Sequence, residues 1–498
     1  MDFQGSVKTD CIAPIWTVEA EGEDWINIAG SCREQGGRLV SIWGSEAGEG
    51  FFVQAAYVFP EGMLIARHPA VEGQYASLSD LFPCAGRMQR AVYDMLGIDH
   101  GGADKRPWLS HGMGPSFPLR KNPLPDQVLS EKDYPFVAVE GEGVHEVAVG
   151  PVHAGIIEPG HFRFQVVGEK VLRLEERLGY KHKGIEKQFE GMTVQEGAGL
   201  AGRISGDSTV AYSWTYAMAV ESVCGVKPPE RASFLRGLFL ERERIANHLA
   251  DLGALGNDAG FAFGLSQFSS LREDMLRLNK QIFGHRLLMD LVVPGGVSRD
   301  LDMDAKRRIF EECEIMERRV RDLREIYMDH TGLQDRFLTT GRIAPELAAK
   351  LGLAGLAGRA SRNAVDLRVD HPYSPYDRLE VVMATHHGGD VAARVSVRFD
   401  EIAESLRLTG LMLENLPEGE ISCELPRMSG CGAGWVEGFR GEIVVFLEIE
   451  KGRVRRAHAH DPSWQNWPAL EFAVIGNIVP DFPLINKSFN LSYSGHDL

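Results

Sequence analysis

The chain has 498 residues, which is more than one ordinary hydrophobic core holds, so at least two domains are expected. Its 44% hydrophobic and 25% charged residues are typical of a folded globular protein and exclude a disordered chain. A formal net charge of −17 excludes the basic surface that nucleic-acid binding requires, so no nucleic-acid partner is expected.

The first part of the chain, residues 1–105, mixes short apolar runs with one helical stretch around residues 87–96. This pattern predicts a small α+β domain. Residues 106–136 are rich in proline, glycine and charge and show no sustained period, which predicts a linker or an extended arm. Residues 137–498 are then expected to form the second domain.

The second domain opens with strand-like runs at 161–168 and 170–179, which predict a hairpin. Apolar residues then recur with a helical period from 184 to 330, and further helices are expected at 304–329 and 392–416. The pattern turns β-like again around 441–470. The predicted fold class is α+β: a small α+β domain followed by a mainly α helix-bundle domain with peripheral β elements.

Membrane spans and disulfides are not expected. The sequence has no run of eighteen apolar residues, and its start lacks a basic segment followed by an apolar one. The seven cysteines form no Cys-x-x-Cys pair, so reduced thiols are expected. Cys423 and Cys431 are close enough in sequence to bridge or to share a metal, although a two-thiolate metal site would need further ligands nearby.

Several segments carry a family resemblance. In chain order they are GPVHAGIIEPGHFRFQVVGEKVLRLEERLGYKHKGIEKQFEGMT, VESVCGVKPPERASFLRGLFLERERIANHLADLG, FGHRLLMDLVVPGGV, GRASRNAVDLRVDHPYSPY and VEGFRGE. Together they resemble the large subunit of membrane-bound nickel-iron hydrogenases of the formate hydrogenlyase and hydrogenase-4 type, and the quinone-site subunit of complex I. The N-terminal part, with LFPCAGRMQRAVYDMLGID, resembles the 30 kDa subunit of complex I.

The resemblance implies the position of a metal centre. In an active hydrogenase of this family, two Cys-x-x-Cys pairs supply four thiolates, because soft sulfur ligands hold nickel and iron. The matching positions here are Ser205, Ser208, Ser492 and Gly495. A serine hydroxyl stays protonated at neutral pH, so no nickel-iron centre is expected. The serines either bond nearby backbone at loops and helix starts or line a small polar pocket.

The resemblance also implies roles for charged residues. Glu158 matches the glutamate that passes protons to and from the metal thiolate, although a glutamate at a Pro-Gly turn is also a common capping residue. Arg440 matches an arginine over the active site, and Glu186 matches a carboxylate near a structural magnesium. Arg203 matches an arginine near the proximal iron-sulfur cluster of the small partner subunit, where a guanidinium would stabilise the reduced cluster.

A charge cluster further along the chain allows two interpretations. Asp370 and His371, with Arg359 and Arg368 upstream, resemble residues that orient the groups around the metal. Alternatively, the same cluster braces two segments of the chain.

The quinone site of complex I relatives is matched only in part. His153 is retained in the Gly-Pro-x-His loop, but the quinone-ligating histidine is matched by Ile157 and the quinone tyrosine by Gly206. Asp258 matches a complex I residue near that tyrosine, so a polar cavity is expected to persist. The resemblance therefore does not support quinone-headgroup chemistry of the complex I kind.

The leading hypothesis is a subunit of a membrane-bound, complex I-like and hydrogenase-related oxidoreductase complex that couples electron transfer to ion translocation without a nickel-iron centre. The resemblance implies an iron-sulfur small subunit and membrane-arm subunits as partners, and a peripheral place on the cytoplasmic side of the cell membrane through them. Glu158, Arg440 and Asp258 are its candidate catalytic residues. No cofactor-binding motif is evident. The resemblance implies that the iron-sulfur cluster is held by the partner subunit.

Two rival hypotheses remain. The chain could be a redox-silent scaffold whose old site is packed shut. Alternatively, it could be a subunit of a quinone oxidoreductase, similar to NADH-quinone oxidoreductase, with rearranged ligands for a bound quinone.

Overall fold

The structure is a computed structural model, and it describes residues 7–9, 14–48, 50–112, 114–126 and 134–498. Cys11 lies outside the described residues. The strands of the described part are β1 (Val7–Thr9), β2 (Ile15–Glu19), β3 (Arg38–Ala47), β4 (Gly50–Phe59), β5 (Gly62–Pro69), β6 (Pro115–Ser116), β7 (Leu124–Asp126), β8 (Val144–Val149), β9 (His161–Val167), β10 (Lys170–Arg177), β11 (Val292–Val293), β12 (Gly296–Val297), β13 (Gly430–Glu437), β14 (Glu442–Glu450) and β15 (Arg453–His460).

The α-helices of the same residues vary from one turn to eight. They are α1 (Asp24–Glu34), α2 (Ala85–Leu96), α3 (Ile185–Phe189), α4 (Val194–Ala201), α5 (Thr209–Cys224), α6 (Glu230–Asp258), α7 (Ala262–Phe283), α8 (Met303–Asp329), α9 (Thr331–Phe337), α10 (Pro345–Leu351), α11 (Gly355–Ala360), α12 (Leu367–Asp370), α13 (Val391–Glu414), α14 (Ser463–Ala473), α15 (Phe482–Phe489) and α16 (Tyr493–Asp497). None that the structure describes is both long and apolar enough to cross a membrane.

The N-terminal sheet has the strand order β1-β2-β5-β4-β3. β2 and β5 are parallel, and the other neighbours are antiparallel. Helix α1 packs on the sheet through the buried side chains of Trp25 and Cys32, and α2 packs on β3. This small sheet with its two helices is the α+β unit that the sequence predicts at the N-terminus.

The described part of segment 106–126 is packed against its neighbours. Trp108 and Leu109 are buried, and both donate their backbone N–H groups to a carboxylate oxygen of Asp94 at 2.7 Å. Arg177 of β10 donates to the carbonyl oxygen of Trp108 at 2.6 Å. Of the two sequence interpretations of this segment, these contacts favour an arm that is fixed to both α2 and β10.

Long helices form the body of the molecule. α6 runs through its centre and packs against α7 and α13, and the predicted helices at 304–329 and 392–416 are found as α8 and α13. The apolar stripe predicts burial of only one face of α6. In the structure the opposite face is buried too, since nearly every residue from Arg231 to Leu249 is buried. Its internal arginines are paired with buried acids, as Arg236 is with Glu221 at 2.6 Å.

The C-terminal sheet, β13-β14-β15, lies against α5 and is more deeply placed than the sequence suggests, since β14 is buried over almost its whole length. The β-like prediction for residues 441–470 is correct only up to His460. A helix, α14, begins at Ser463. There the Asp461 carboxylate accepts the N–H of Ser463 at 2.8 Å, and Pro462 fixes a backbone angle that suits a helix start.

Candidate functional site

The four matched positions come from two distant segments of the chain and meet in one buried place. Ser205 and Ser208 flank a short 3-10 turn before α5, while Ser492 and Gly495 form the start of α16. The hydroxyls of Ser205 and Ser492 are 2.9 Å apart and hydrogen-bond to each other. Ser492 also caps α16, because its hydroxyl accepts the N–H of Gly495 at 2.8 Å.

An ion pair joins this group. Arg440, in the turn between β13 and β14, donates to the two carboxylate oxygens of Asp207 at 2.5 and 3.0 Å and to the Ser208 hydroxyl at 3.3 Å. Ser205 donates to the same carboxylate at 2.8 Å. Burial alone would raise the pKa of Asp207, but the charge and hydrogen bonds of Arg440, with the bond from Ser205, lower it to about 2.

A second carboxylate fills the place of a missing side chain. A Cβ atom added to Gly495 would lie 2.3 Å from Oδ2 of Asp461, so the carboxylate takes the space that a larger residue would need. This carboxylate is fixed by the Tyr212 hydroxyl at 2.7 Å and by the N–H of Ser463 at 2.8 Å. Burial, and then the charge of Asp461, raise the pKa of Tyr212.

Asp207 and Asp461 were not predicted from the sequence. Asp207 lies between the two serines of the matched motif, so a search for an acid to balance Arg440 would have found it. Asp461 carries no such signal, because it enters the site from the far end of β15 and is placed there only by the fold.

Glu158 lies at the rim of the site. Its carboxylate accepts the N–H of Ser494 at 3.0 Å and the Ser494 hydroxyl, and Lys181 approaches it to 3.7 Å. Its side chain remains 38% exposed, so it contacts both Ser494 and solvent. A carboxylate in this position can exchange protons with water while it is held beside the start of α16.

The loop that carries Glu158 is braced by His153. The His153 ring nitrogen Nε2 is 2.8 Å from the carbonyl oxygen of Gly160, and the ring packs against Phe162. Ile157, which matches the quinone-ligating histidine, is 40% exposed. Histidine at position 153 therefore stabilises the base of the loop in this structure.

Two predicted residues lie apart from the serine group. Arg203 is 46% exposed and forms a bidentate ion pair with Asp290 at 2.6 and 2.8 Å. Asp258 is exposed at the C-terminal end of α6. It lies eleven residues beyond Asn247, which donates to the carbonyl oxygen of Asp207, and this is about 16 Å along a helix axis. The structure does not bring Asp258 to the site.

Glu186 is buried at the junction of the N-terminal and C-terminal sheets. Its two oxygens are bound by Arg456 at 3.1 Å and by Nδ1 of His458 at 2.6 Å, and Nε2 of His458 contacts the Ser41 hydroxyl at 2.8 Å. Burial would raise the pKa of Glu186, but the charges of Arg456 and His458 lower it to about 2. Both oxygens are already hydrogen-bonded, one by Arg456 and one by His458, so this carboxylate does not fit a magnesium ligand.

The predicted charge cluster belongs to a buried ion network, but through a different acid. Arg359 and Arg368 are fully buried, and Arg368 pairs with Asp366 at 2.7 Å. Asp370 is exposed and only accepts the N–H of Asp366, while His371 packs against a tryptophan. The other members of the network are Glu241, Arg244, His248, Glu401 and Glu437.

This network braces the turn that carries Arg440. Arg244 donates to the carbonyl oxygens of Glu437 and Gly438 at 2.7 and 2.9 Å. Arg359 donates to the Glu437 carboxylate at 2.9 Å. The sequence allowed two interpretations of the cluster, and these contacts favour the one in which it braces two segments of the chain. The bonds fix the backbone of Glu437 and Gly438, which precede Arg440.

Known proteins resemble this chain over most of its length. The sequence profile of the 49 kDa subunit of respiratory-chain NADH dehydrogenase matches residues 258–431, and that of the 30 kDa subunit matches residues 18–127. Formate hydrogenlyase subunit 5 of Escherichia coli is 32% identical over 439 residues, which cover 85% of this chain and 77% of that protein. The chain belongs to this hydrogenase and complex I family.

Other family members agree with this assignment. The NADH-quinone oxidoreductase C/D polypeptide of Bacteroides thetaiotaomicron is 29% identical over 407 residues, or 75% of this chain and 76% of that one. A chain of an archaeal respiratory membrane complex, the membrane-bound sulfane sulfur reductase, superposes with a TM-score of 0.68 at 25% identity. It covers 72% of this chain and 99% of its own length. The family and fold class predicted from the sequence are thereby confirmed.

The residues at the four matched positions do not fit the nickel-iron centre of hydrogenase members of the family. They offer three hydroxyls and a glycine, whereas nickel and iron need soft thiolates. Within the described ranges, no group of three or more His, Cys, Asp or Glu residues is arranged to hold a metal ion.

Proposed function

We propose that the chain is a subunit of a membrane-bound, complex I-like oxidoreductase complex that couples electron transfer to ion translocation, and that it holds no nickel-iron centre. The proposal rests on the hydroxyls and the glycine that meet around the Arg440–Asp207 ion pair, at the positions that the resemblance matches to four thiolates. Relatives over most of the chain are subunits of hydrogenase and NADH-quinone oxidoreductase complexes, which supports the assembly.

The proposed partners are an iron-sulfur small subunit and membrane-arm subunits. Arg203 supports the first of these, because its guanidinium, although paired with Asp290, is 46% exposed and so lies within reach of a partner surface. The membrane arm would hold the chain on the cytoplasmic side of the cell membrane as a peripheral subunit.

Within this proposal the site handles protons and charge. Glu158 exchanges a proton with water at the rim, while Arg440 and Asp207 supply a fixed pair of opposite charges beside the serines. Asp258 has no part in this scheme, because it lies at the exposed end of α6.

The experiment is to isolate the intact complex through a tag on this chain and to measure nickel content, hydrogen uptake and evolution, and quinone reduction on the same sample. We expect no stoichiometric nickel and no hydrogen turnover. Glu158→Gln should lower the electron-transfer rate at least tenfold, and the exposed control Glu142→Gln should not change it. Nickel near one atom per chain together with hydrogen turnover would overturn the proposal.

A second candidate is a redox-silent scaffold, and the closed packing of the site favours it. Ser205 and Ser492 contact each other directly, and the Arg440 side chain is only 7% exposed. A scaffold predicts that Glu158→Gln and Arg440→Lys leave electron transfer unchanged whenever the complex assembles. Glu158→Gln therefore distinguishes the two candidates, because it should lower the electron-transfer rate only under the first.

A further inference from the structure

A small cavity lies next to the Arg440–Asp207 pair, between α6 and α7. Its volume is about 100 Å³. It is lined by Gly206, Asp207, Arg242, Glu243, Ala246, Asn247, Arg272, Leu276, Asn279, Arg286, Leu287 and Leu288. A Cβ atom added to Gly206 would meet nothing within 4 Å, so the position that matches the quinone tyrosine is open space.

The arginines around this cavity differ in whether an acidic side chain neutralises them. Arg242 pairs with Glu312 at 2.8 Å, and Arg286 pairs with Glu273 at 2.8 Å. Arg272 forms no ion pair with any residue that the structure describes. Its Nε donates to the carbonyl oxygen of Ala246 at 3.1 Å, which fixes the guanidinium plane and leaves the two Nη groups for another acceptor.

The remaining acid of the lining, Glu243, does not neutralise Arg272. Its two oxygens accept the N–H groups of Val210 and Ala211 at 2.6 and 3.1 Å. Burial outweighs these hydrogen bonds and raises the pKa of Glu243 to about 8, so the group is largely protonated at neutral pH. Asp207, the other acid of the lining, is paired with Arg440. Arg272 is therefore the arginine of this lining that has no ion-pair partner among the described residues.

We propose that this cavity binds a small planar monovalent anion of the carboxylate type through the guanidinium of Arg272. Two parallel N–H donors of a guanidinium match the two oxygens of such an anion. Since one water takes about 30 Å³ of liquid volume, a cavity of about 100 Å³ has room for three or four non-hydrogen atoms. Sulfate, which is tetrahedral and has five non-hydrogen atoms, exceeds that volume.

The test is thermal unfolding of the intact chain, with formate and bicarbonate as probes replacing chloride at constant ionic strength. We expect both probes to raise the melting temperature of the wild type, and sulfate at equal ionic strength to do so much less. Arg272→Gln should remove the shift and weaken formate binding at least tenfold by calorimetry. The matched control is Arg321→Gln on α8, whose side chain is exposed and pairs with Glu317.

A second variant tests the position independently of the charge. Leu276→Phe fills the cavity and leaves Arg272 in place, so it should also abolish the formate shift. A formate shift that survives in Leu276→Phe, or one equal in wild type and Arg272→Gln, would overturn the proposal. Absence of any shift in the wild type would overturn it as well. These outcomes do not depend on the reaction of the complex, so they are separate from the test of the proposed function.

Discussion

The guanidinium of Arg440 and the carboxylate of Asp207 face each other in two hydrogen bonds, 2.5 and 3.0 Å long. Arg440 is removed from water on nearly all sides, whereas the Asp207 side chain is still partly exposed. A desolvated cation needs its counterion, and the bidentate geometry also fixes its orientation. The pair therefore holds the turn before β14 against the 3-10 turn before α5.

Asp207→Asn should destabilise the chain. The substitution keeps the shape but leaves the buried Arg440 without its counterion, and hydrogen bonds to charged groups are worth about 1.5 to 3 kcal/mol each. Because Asp207 is partly exposed, we expect a loss of about 2 kcal/mol, measured by urea unfolding. Asp304→Asn, on the exposed side of α8, should cost less than about 0.5 kcal/mol. Equal costs for the two variants would contradict this account of the pair.

Gly495 and Asp461 should be energetically coupled. Gly495→Ala places a methyl group against the Asp461 carboxylate, and overpacking of this kind costs about 1 to 3 kcal/mol. Asp461→Ala removes the obstacle but leaves the Tyr212 hydroxyl without its acceptor. The double variant should lose less stability than the sum of the two single variants. Urea unfolding of all four proteins measures the difference, and additivity within about 0.5 kcal/mol would show that the contact has no cost.

The long elements could be predicted from the sequence because periodicity is a local property. The hairpin β9–β10 and the helices α8 and α13 were found close to the expected bounds. The buried arginines of α6 could not be recognised, since the apolar stripe predicts a solvated opposite face. Their burial depends on acids from distant segments, such as Glu221 for Arg236, and only the tertiary structure brings these together.

The sequence also could not show which of two neighbouring aspartates is buried beside Arg368. Asp366 is fully buried and Asp370 is exposed, although both are aspartates beside Arg368. α12 has only four residues, so it has no period from which an inner face could be inferred. The motif match located the cluster, and the fold decided which member pairs with Arg368.

Glu243 should make stability fall as pH rises. Its pKa is about 8 in the folded chain and near 4.5 when unfolded, so between these values the folded state binds one more proton than the unfolded state. Stability that is present below pH 4.5 is therefore lost progressively as the pH rises toward 8. In Glu243→Gln this part of the pH dependence should vanish. Urea unfolding at several pH values measures it, and an unchanged slope in the variant would contradict the shift.

Glu186 should make stability fall as the pH falls below 4.5, which is the opposite dependence. Its pKa falls from 4.5 to about 2 on folding, so the unfolded state binds more protons between these values. The stabilisation, about 3 kcal/mol, is complete above pH 4.5 and is lost as the pH falls toward 2. Glu186→Gln should lack this loss, while being less stable at neutral pH because Arg456 loses its counterion and His458 loses a carboxylate acceptor.

The control for this prediction is Glu196→Gln, an exposed carboxylate that caps α4. It should retain the acid loss that comes from Glu186. Because His458 of the C-terminal sheet bonds both Glu186 and Ser41 of the N-terminal sheet, the two sheets should separate at this contact in the same pH range in which the wild type loses stability. Fluorescence of Trp43, which stacks on the His458 ring, would follow that separation. A Trp43 signal that changes at the same pH in Glu186→Gln as in the wild type would show that another group controls the contact between the sheets.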